Sequence, residues 1–289
     1  FRSTLIQTLF YGIFSAWVIH ARHRLDASAK KPHTRAVRES AAAYNPSSDF
    51  FDWRQAGFLL RVPMIKALFN HIVHSRELED LRLIEVLDWA DAALNRVDAR
   101  LFFEGFEENH AVQYFYEPFL AAFDPELRKE LGVWYTPAEI VDYQVERVDA
   151  VLRSELGIAD GLADPKVVVL DPCCGTGAYL CSVLRRIHKT FSEKGADDLA
   201  AHDLKQAAIQ RIYGFEIMPA PFVVAHLQLG LLLESLGASL DDKRAERPGV
   251  FLTNSLTGWE PPKEKAKQNL LAFPELAAER DAAADLRGC

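Results

Sequence analysis

Four cysteines in 289 residues are too few for a disulfide framework. Three of them, Cys173, Cys174 and Cys181, crowd into one short segment, where adjacent residues do not readily bridge each other. A reducing, cytoplasmic compartment is the expectation that follows. No C-x-x-C occurs, and the pairs His20/His23 and His71/His74 lie on helical patterns without a nearby third ligand, so solvated or core-edge histidines are expected rather than a metal site. Positive charge is scarce as well. The 33 Lys and Arg stand against 41 Asp and Glu, and a net charge of −8 excludes a nucleic-acid binder that works through its overall field. Any DNA affinity must come from a local patch or from sequence beyond these residues. Long apolar runs are missing too. Residues 5–19 resemble a membrane span but are too few and include Gln7, Thr8 and Ser15, so they predict a buried helix. The chain begins at Phe1 rather than methionine, and an upstream portion is expected to precede it.

What is present is an ordinary globular composition, 49% hydrophobic, enough for one large or two modest domains. Helix is predicted over 5–22. A polar stretch from Asp26 to Ser48 follows, with Lys30, Lys31, Arg35 and Arg38 beside Pro32 and Pro46, and reads as a solvated connection. From Phe51 to Phe103 apolar residues recur at helical spacing, as in Leu60, Met64, Leu68 and Leu83, Leu87, Ala90, Leu94. Residues 1–110 are therefore read as a helical domain. Residues 111–165 form a helical connector with a helix from Val112 to Ala122, a turn at Asp124-Pro125 and a helix from Ala138 to Ser154. In that last helix Thr136 is the expected N-cap and Pro137 the first helical residue.

From residue 166 the grammar changes. Strand 166–170, helix 178–194, a helix ending near Gln210, strand 211–215, helix 220–236 and strand 249–252 alternate in the order of an α/β parallel sheet. The segment Asp171-Pro172-Cys173-Cys174-Gly175-Thr176-Gly177 sits between a strand and a helix. Glycines there let the backbone turn tightly and approach a ligand, and the helix N-terminus offers free N–H groups. A dinucleotide fingerprint is absent, because Leu180 stands three residues after Gly177, and the acid at Asp171 would repel a pyrophosphate. Glu216 ends the next strand, where a carboxylate can accept hydrogen bonds from both hydroxyls of a ribose. Ile217 is placed to cover one face of an adenine, and Asn254, past the third strand, to bond its exocyclic amine. A strand-end Asn is also a common turn residue.

These residues carry a resemblance. Tyr114-Phe-Tyr-Glu-Pro-Phe-Leu, Asp124-Pro-Glu-Leu-Arg-Lys, Gly132-Val-Trp-Tyr-Thr-Pro, Asp171-Pro-Cys-Cys-Gly-Thr-Gly and Tyr213-Gly-Phe-Glu-Ile-Met-Pro-Ala-Pro resemble the methyltransferase region of single-polypeptide type I (type ISP) restriction-modification enzymes, and more broadly the N6-adenine DNA methylases. The resemblance implies a Rossmann-like fold, S-adenosylmethionine as cofactor, and double-stranded DNA as substrate of the complete enzyme, with nuclease and helicase portions elsewhere. It further implies that Tyr135, Thr136 and Pro137 contact the methionine end of the cofactor together with Asp171, within a loop whose other family-matched positions are Pro172, Gly175, Thr176 and Gly177.

One family motif is missing. Such enzymes carry [D/N/S]-P-P-[Y/F/W], whose carbonyl groups accept from the target amine while the ring stacks on a flipped base. Glu260-Pro261-Pro262-Lys263 has neither the acceptor nor the ring, and Asn45-Pro46-Ser47 fails likewise. Residues 166–289 are accordingly read as the cofactor-binding half of the domain, inactive alone. Two other readings remain open: a non-catalytic cofactor- or DNA-binding subunit, and a methyltransferase acting on RNA or protein.

Overall fold

The computed structural model describes residues 2–29, 50–60, 66–67, 69–70, 73, 83–105, 136–195, 198–241, 244, 246–256 and 274–286. The basic stretch from Lys30, the segments from Val112 to Tyr135, and Glu260 to Lys263 lie outside them, as do Met64, Leu68, His71 and His74. The chain divides into two compact units, Phe1–Glu107 and Glu108–Cys289.

In the first unit, α1 (Arg2–Ala29) extends the expected helix at both ends. Its middle, Tyr11 to Val18, is continuously buried, so it is an interior helix. None of the described helices is long and apolar enough to cross a membrane. Trp17 meets Phe102 of α4 (Ala99–Gly105) edge to face, with ring centroids 4.9 Å apart. A 3₁₀ turn, Trp53–Gln55, is capped by Asp52 and leads into the short α2 (Ala56–Leu59). Helix α3 (Leu83–Leu94) and the residue after it grip that turn with polar side chains. Asp88 accepts from the Trp53 indole at 2.8 Å, Asp91 from Trp53 N at 3.1 Å, and Asn95 exchanges two 2.8 Å bonds with the Phe51 backbone. Burial lifts the Asp91 carboxyl to about 6, and its Oδ1 has no partner.

The second unit holds a three-stranded parallel sheet in the order β1-β2-β3, with β1 at Val169–Asp171, β2 at Ile212–Glu216 and β3 at Gly249–Leu252. Among the described residues, helices α5 (Ala138–Ser154), α6 (Ala178–Glu193), α7 (Asp198–Gln210), α8 (Pro219–Ser235) and α9 (Pro274–Asp285) accompany it. The alternating strand and helix pattern read from the sequence is thus present, with two corrections. Strand β1 is shorter than expected and starts at Val169, because ladder pairing begins only where Val169 N reaches Arg211 O at 2.9 Å. Val167 and Val168 precede the ladder. The N-cap of α5 is Pro137, not Thr136: Pro137 sits at φ −52°, ψ 139°, and its carbonyl accepts from Ile140 N and Val141 N. Thr136 therefore stands outside the helix and makes no capping bond.

Helix α8 is the core of this unit, buried from Ala220 to Leu229. A histidine inside it has a consequence for pH. His226 Nε2 faces Val250 O at 3.2 Å, its Nδ1 has no partner, and burial, with Arg247 adding repulsion, pushes its pKa down to about 3. The fold accepts only the neutral ring, whereas the unfolded chain takes up a proton near pH ~6.5. Stability from this site is complete above about pH 6.5 and is lost as the pH falls toward 3, by up to about 1.4 kcal/mol per pH unit. His226→Gln, which can still donate to Val250, is expected to flatten the decline of melting temperature between about pH 6.5 and 4. Parallel decline in parent and variant would refute this.

Candidate functional site

The candidate residues gather at the carboxyl edge of the sheet. In a parallel sheet all strands end on the same side, and neighbouring strands lie about 4.8 Å apart. Asp171 closes β1 opposite Gly214 of β2, and Glu216 closes β2 opposite Leu252 of β3, with Thr253 and Asn254 just beyond. Two carboxylates and an amide side chain thus sit along one rim.

The turn between β1 and α6 is shaped by its glycines. Gly175 at φ +55° and Gly177 at φ +88° adopt the left-handed region that side-chain-bearing residues rarely enter. Open space lies where a Cβ on Gly175 would stand, while one on Gly177 would press on Ala225 at 3.3 Å. The turn is anchored from below, since Cys174 N donates to Phe215 O at 2.9 Å and Gly177 N to Cys174 O at 2.8 Å. Gly177 caps α6 without a side chain, so no capping group covers the first N–H groups of that helix. Pro172 and Cys173 are exposed, Thr176 half-buried. Cys173 and Cys174 are both free thiols.

The electrostatics favour a cationic or donor-rich ligand. Asp171 Oδ1 accepts from Cys173 N at 3.1 Å, but Oδ2 is buried and has no partner. Burial raises the Asp171 pKa, against the single backbone bond. Glu216 is buried too; desolvation raises its pKa, while the N–H groups of Met218, Gly175 and Ile217 oppose the rise. The two carboxylates repel each other's ionised form and, with burial the larger cause, push the Cys174 thiol far up. Such a pair is stabilised by a ligand that brings positive charge to one and hydroxyl donors to the other.

Ile217 is 62% exposed beside Glu216, an apolar side chain presented to solvent at the rim. Asn254 makes a turn: its Oδ1 accepts from Leu256 N at 2.9 Å. The next residue, Ser255, donates to Pro172 O, tying the end of β3 to the glycine turn.

Thr136 and Pro137 reach the same rim through α5. Cross-helix bonds join Asp142 to Ser182 at 2.7 Å, Asp149 to Arg186 at 2.6 and 2.9 Å, and Arg153 to Thr190 at 3.0 Å. Both members of each pair advance together along the chain, so α5 and α6 run in the same direction. Their N-termini, Pro137 and Gly177, therefore share one end. Tyr135 lies outside the described residues.

Two contributors were not singled out by the sequence analysis. Gly214 in β2 makes room for the turn, because a Cβ there would come within 2.7 Å of Leu180 and 2.9 Å of Cys174 Sγ. A glycine inside an otherwise apolar strand is the sequence signal for such an approach. Ser255, whose hydroxyl holds the Pro172 carbonyl, left no such signal. Beside the site an apolar groove of about 560 Å³ runs along β1, lined by Val145, Val148, Val169, Leu170 and Tyr179 among others.

Comparison with known proteins adds to this geometry. Residues 107–242 match the family model described as N-6 DNA Methylase, a span that holds every candidate residue except Asn254. No curated protein sequence matches the chain. Among solved structures it is similar to the ATP-dependent Type ISP restriction-modification enzyme LlaBIII bound to DNA, at 18% identity and TM-score 0.51, covering 93% of this chain and 16% of that one. It is also similar to a nuclease-deletion mutant of the Type ISP restriction-modification enzyme LlaGI in complex with a DNA substrate mimic, at 19% identity and TM-score 0.49, covering 79% of this chain and 17% of that one. The chain spans about a sixth of the length of these two enzymes.

Proposed function

We propose, from the premise that residues 107–242 are an N6 DNA methylase region, that the second unit is the cofactor-binding part of a Rossmann-like DNA adenine-N6 methyltransferase. The observation that carries this is Asp171 Oδ2, a buried carboxylate oxygen without a partner at the mouth of a left-handed glycine turn. S-adenosylmethionine fits the donor set: an ammonium for Asp171, ribose hydroxyls for Glu216, and a carboxylate for the N-terminus of α6. When bound, it supplies an electrophilic methyl group.

The roles of the chain's own residues follow. Asp171 accepts from the ammonium, with Tyr135, Thr136 and Pro137 closing the methionine end. Pro172, Gly175, Thr176 and Gly177 let the backbone approach. Glu216 accepts from the ribose, Ile217 covers the adenine ring, and Asn254 accepts from its exocyclic amine through the second lone pair of Oδ1. On this reading residues 1–110 are a helical domain, 111–165 a connector and 166–289 the cofactor half. The complete enzyme would transfer the methyl group directly to adenine N6 of double-stranded DNA, without a covalent enzyme intermediate, within a cytoplasmic restriction-modification or related defence system. Nuclease, helicase and target-recognition portions would lie outside the 289 residues. The absence of [D/N/S]-P-P-[Y/F/W] favours cofactor binding without transfer by this chain alone.

Calorimetric titration tests the assignment. The chain should bind S-adenosylhomocysteine, and NADH should not compete; equal competition would overturn the reading. Glu216→Gln removes a charged acceptor from two hydroxyls, worth about 1.5–3 kcal/mol, and should weaken S-adenosylhomocysteine by roughly tenfold or more. Its amide oxygen can still accept from Met218 N, whereas the Gly175 and Ile217 N–H groups lose part of their acceptor, so the unliganded melting temperature is measured beside the affinity to separate the two effects. An unaltered affinity would remove Glu216 from the ribose site.

A further inference from the structure

Helix α5 has an unusual grip on the rest of its unit. Only Val141, Val145 and Asp149 are buried along its 17 residues, a single row at spacing four. Two identical valines four apart do not define where the helix stops along its axis. A slip of four residues, about 6 Å, would put one valine in the other's place at little apolar cost. The third member of the row is different. Asp149 is fully buried and receives Arg186 Nε and Nη2 from α6 at 2.9 and 2.6 Å, Arg153 Nε at 2.8 Å, and Leu162 N at 2.8 Å. A slip one way would carry Asp149 into the apolar slot of Val145, a slip the other way would carry Val145 in front of Arg186, and in both Arg186 and Leu162 would lose their acceptor. Buried polar pairs of this kind can specify register even where they add little stability. The approach is tight, since a Cβ on Gly161 would fall 2.1 Å from Asp149 Oδ1.

We infer that the pairing of buried Asp149 with half-buried Arg186, with Ser182–Asp142 as a second pin, fixes the axial register of α5 on α6 and thereby positions Thr136 and Pro137 at the cofactor rim. The inference rests on the cofactor reading above only for its functional consequence. Asp149 and Arg186 touch no cofactor; they are positioning residues that act through the helix between them and Pro137.

The cleanest variant is Arg186→Met. It cuts the link from Asp149 to α6 while Arg153 and Leu162 N still satisfy Asp149, and Arg186→Lys restores one charged donor. At a temperature where all proteins are folded, Arg186→Met should raise the dissociation constant for S-adenosylhomocysteine about tenfold, with Arg186→Lys within about threefold of the parent. A purely structural role would lower the melting temperature and leave that constant unchanged, and this result overturns the inference. A second readout needs no cofactor. Spin labels at Glu139→Cys and Lys189→Cys, in a Cys173→Ser, Cys289→Ser background, report the axial offset of the two helices. The parent should give one narrow distance, and Arg186→Met an added population displaced by about 6 Å. An unchanged distribution rejects the register role. If the parent binds no S-adenosylhomocysteine, the cofactor reading fails, and the spin-label distances still decide the register. Should Arg186→Met not fold, Ser182→Ala, which removes the bond to Asp142, carries both measurements.

Discussion

Asp171→Ala is expected to weaken S-adenosylhomocysteine binding by roughly tenfold to a hundredfold, the loss of one charge-assisted hydrogen bond worth about 1.5–3 kcal/mol. The apo protein should not suffer in proportion. Asp171 Oδ2 is buried without a partner, so the side chain carries a desolvation cost in the free protein that a cationic ligand relieves. Only the Cys173 N bond to Oδ1 is lost from the folded state. Equal or raised melting temperature together with weaker binding is the expected signature. The pH dependence has a definite sign. Burial raises the Asp171 pKa in the free protein, and the ammonium of the ligand favours the carboxylate, so affinity should fall as the pH drops through that raised pKa. In Asp171→Ala this dependence should weaken, leaving only the part carried by Glu216, whose pKa burial also raises. Wild type and variant binding alike would show that the turn holds something other than an amino-acid end.

The sheet edge was legible from sequence because its signals are local. Apolar runs bounded by Gly and Pro marked β2 and β3 to within a residue, and Gly175 and Gly177 announced a turn that only glycines adopt. Strand β1 was misjudged for a tertiary reason. Val167 and Val168 have strand propensity, but the ladder extends only as far as Ile212 provides a partner. The N-cap of α5 was misplaced by one residue because Thr136 and Pro137 both suit a helix start, and the backbone at Pro137 chose between them. Asn254 carried two readings in the sequence, a turn and a ligand contact, and its bond to Leu256 N accounts for the turn. What the sequence did not disclose is long-range pairing. Asp149 meets Arg186 across 37 residues; its place four residues after Val145 puts it on the buried row, unlike the exposed Asp142 and Glu146, but that spacing does not name its partner.

The purified 289-residue chain is expected to transfer no methyl group to adenine and to dissolve poorly, two results with one structural origin. Transfer to N6 needs an acceptor that raises the nucleophilicity of the amine and a ring that holds the flipped base, and neither motif occurs in these residues. In doubly wound sheets ligands bind where the strand order reverses, beyond the carboxyl ends of the strands. Here, among the described residues, β1 pairs only with β2. Val169 and Leu170, the latter 50% exposed, line the apolar groove of about 560 Å³ between this strand and α5. An open apolar strand edge recruits other chains. A further parallel strand on that edge would satisfy its backbone, fill the groove and deliver its own carboxyl end to the rim beside Asp171, where an acceptor for adenine has to stand. Extending the chain with sequence that supplies such a strand and the acceptor motif should therefore restore monodispersity by light scattering and tritiated methyl transfer to DNA together. Methyl transfer by the 289 residues alone would place the acceptor among side chains outside the rim of Asp171, Glu216 and Asn254. Restored solubility without activity would separate the strand that closes the edge from the group that grips the base.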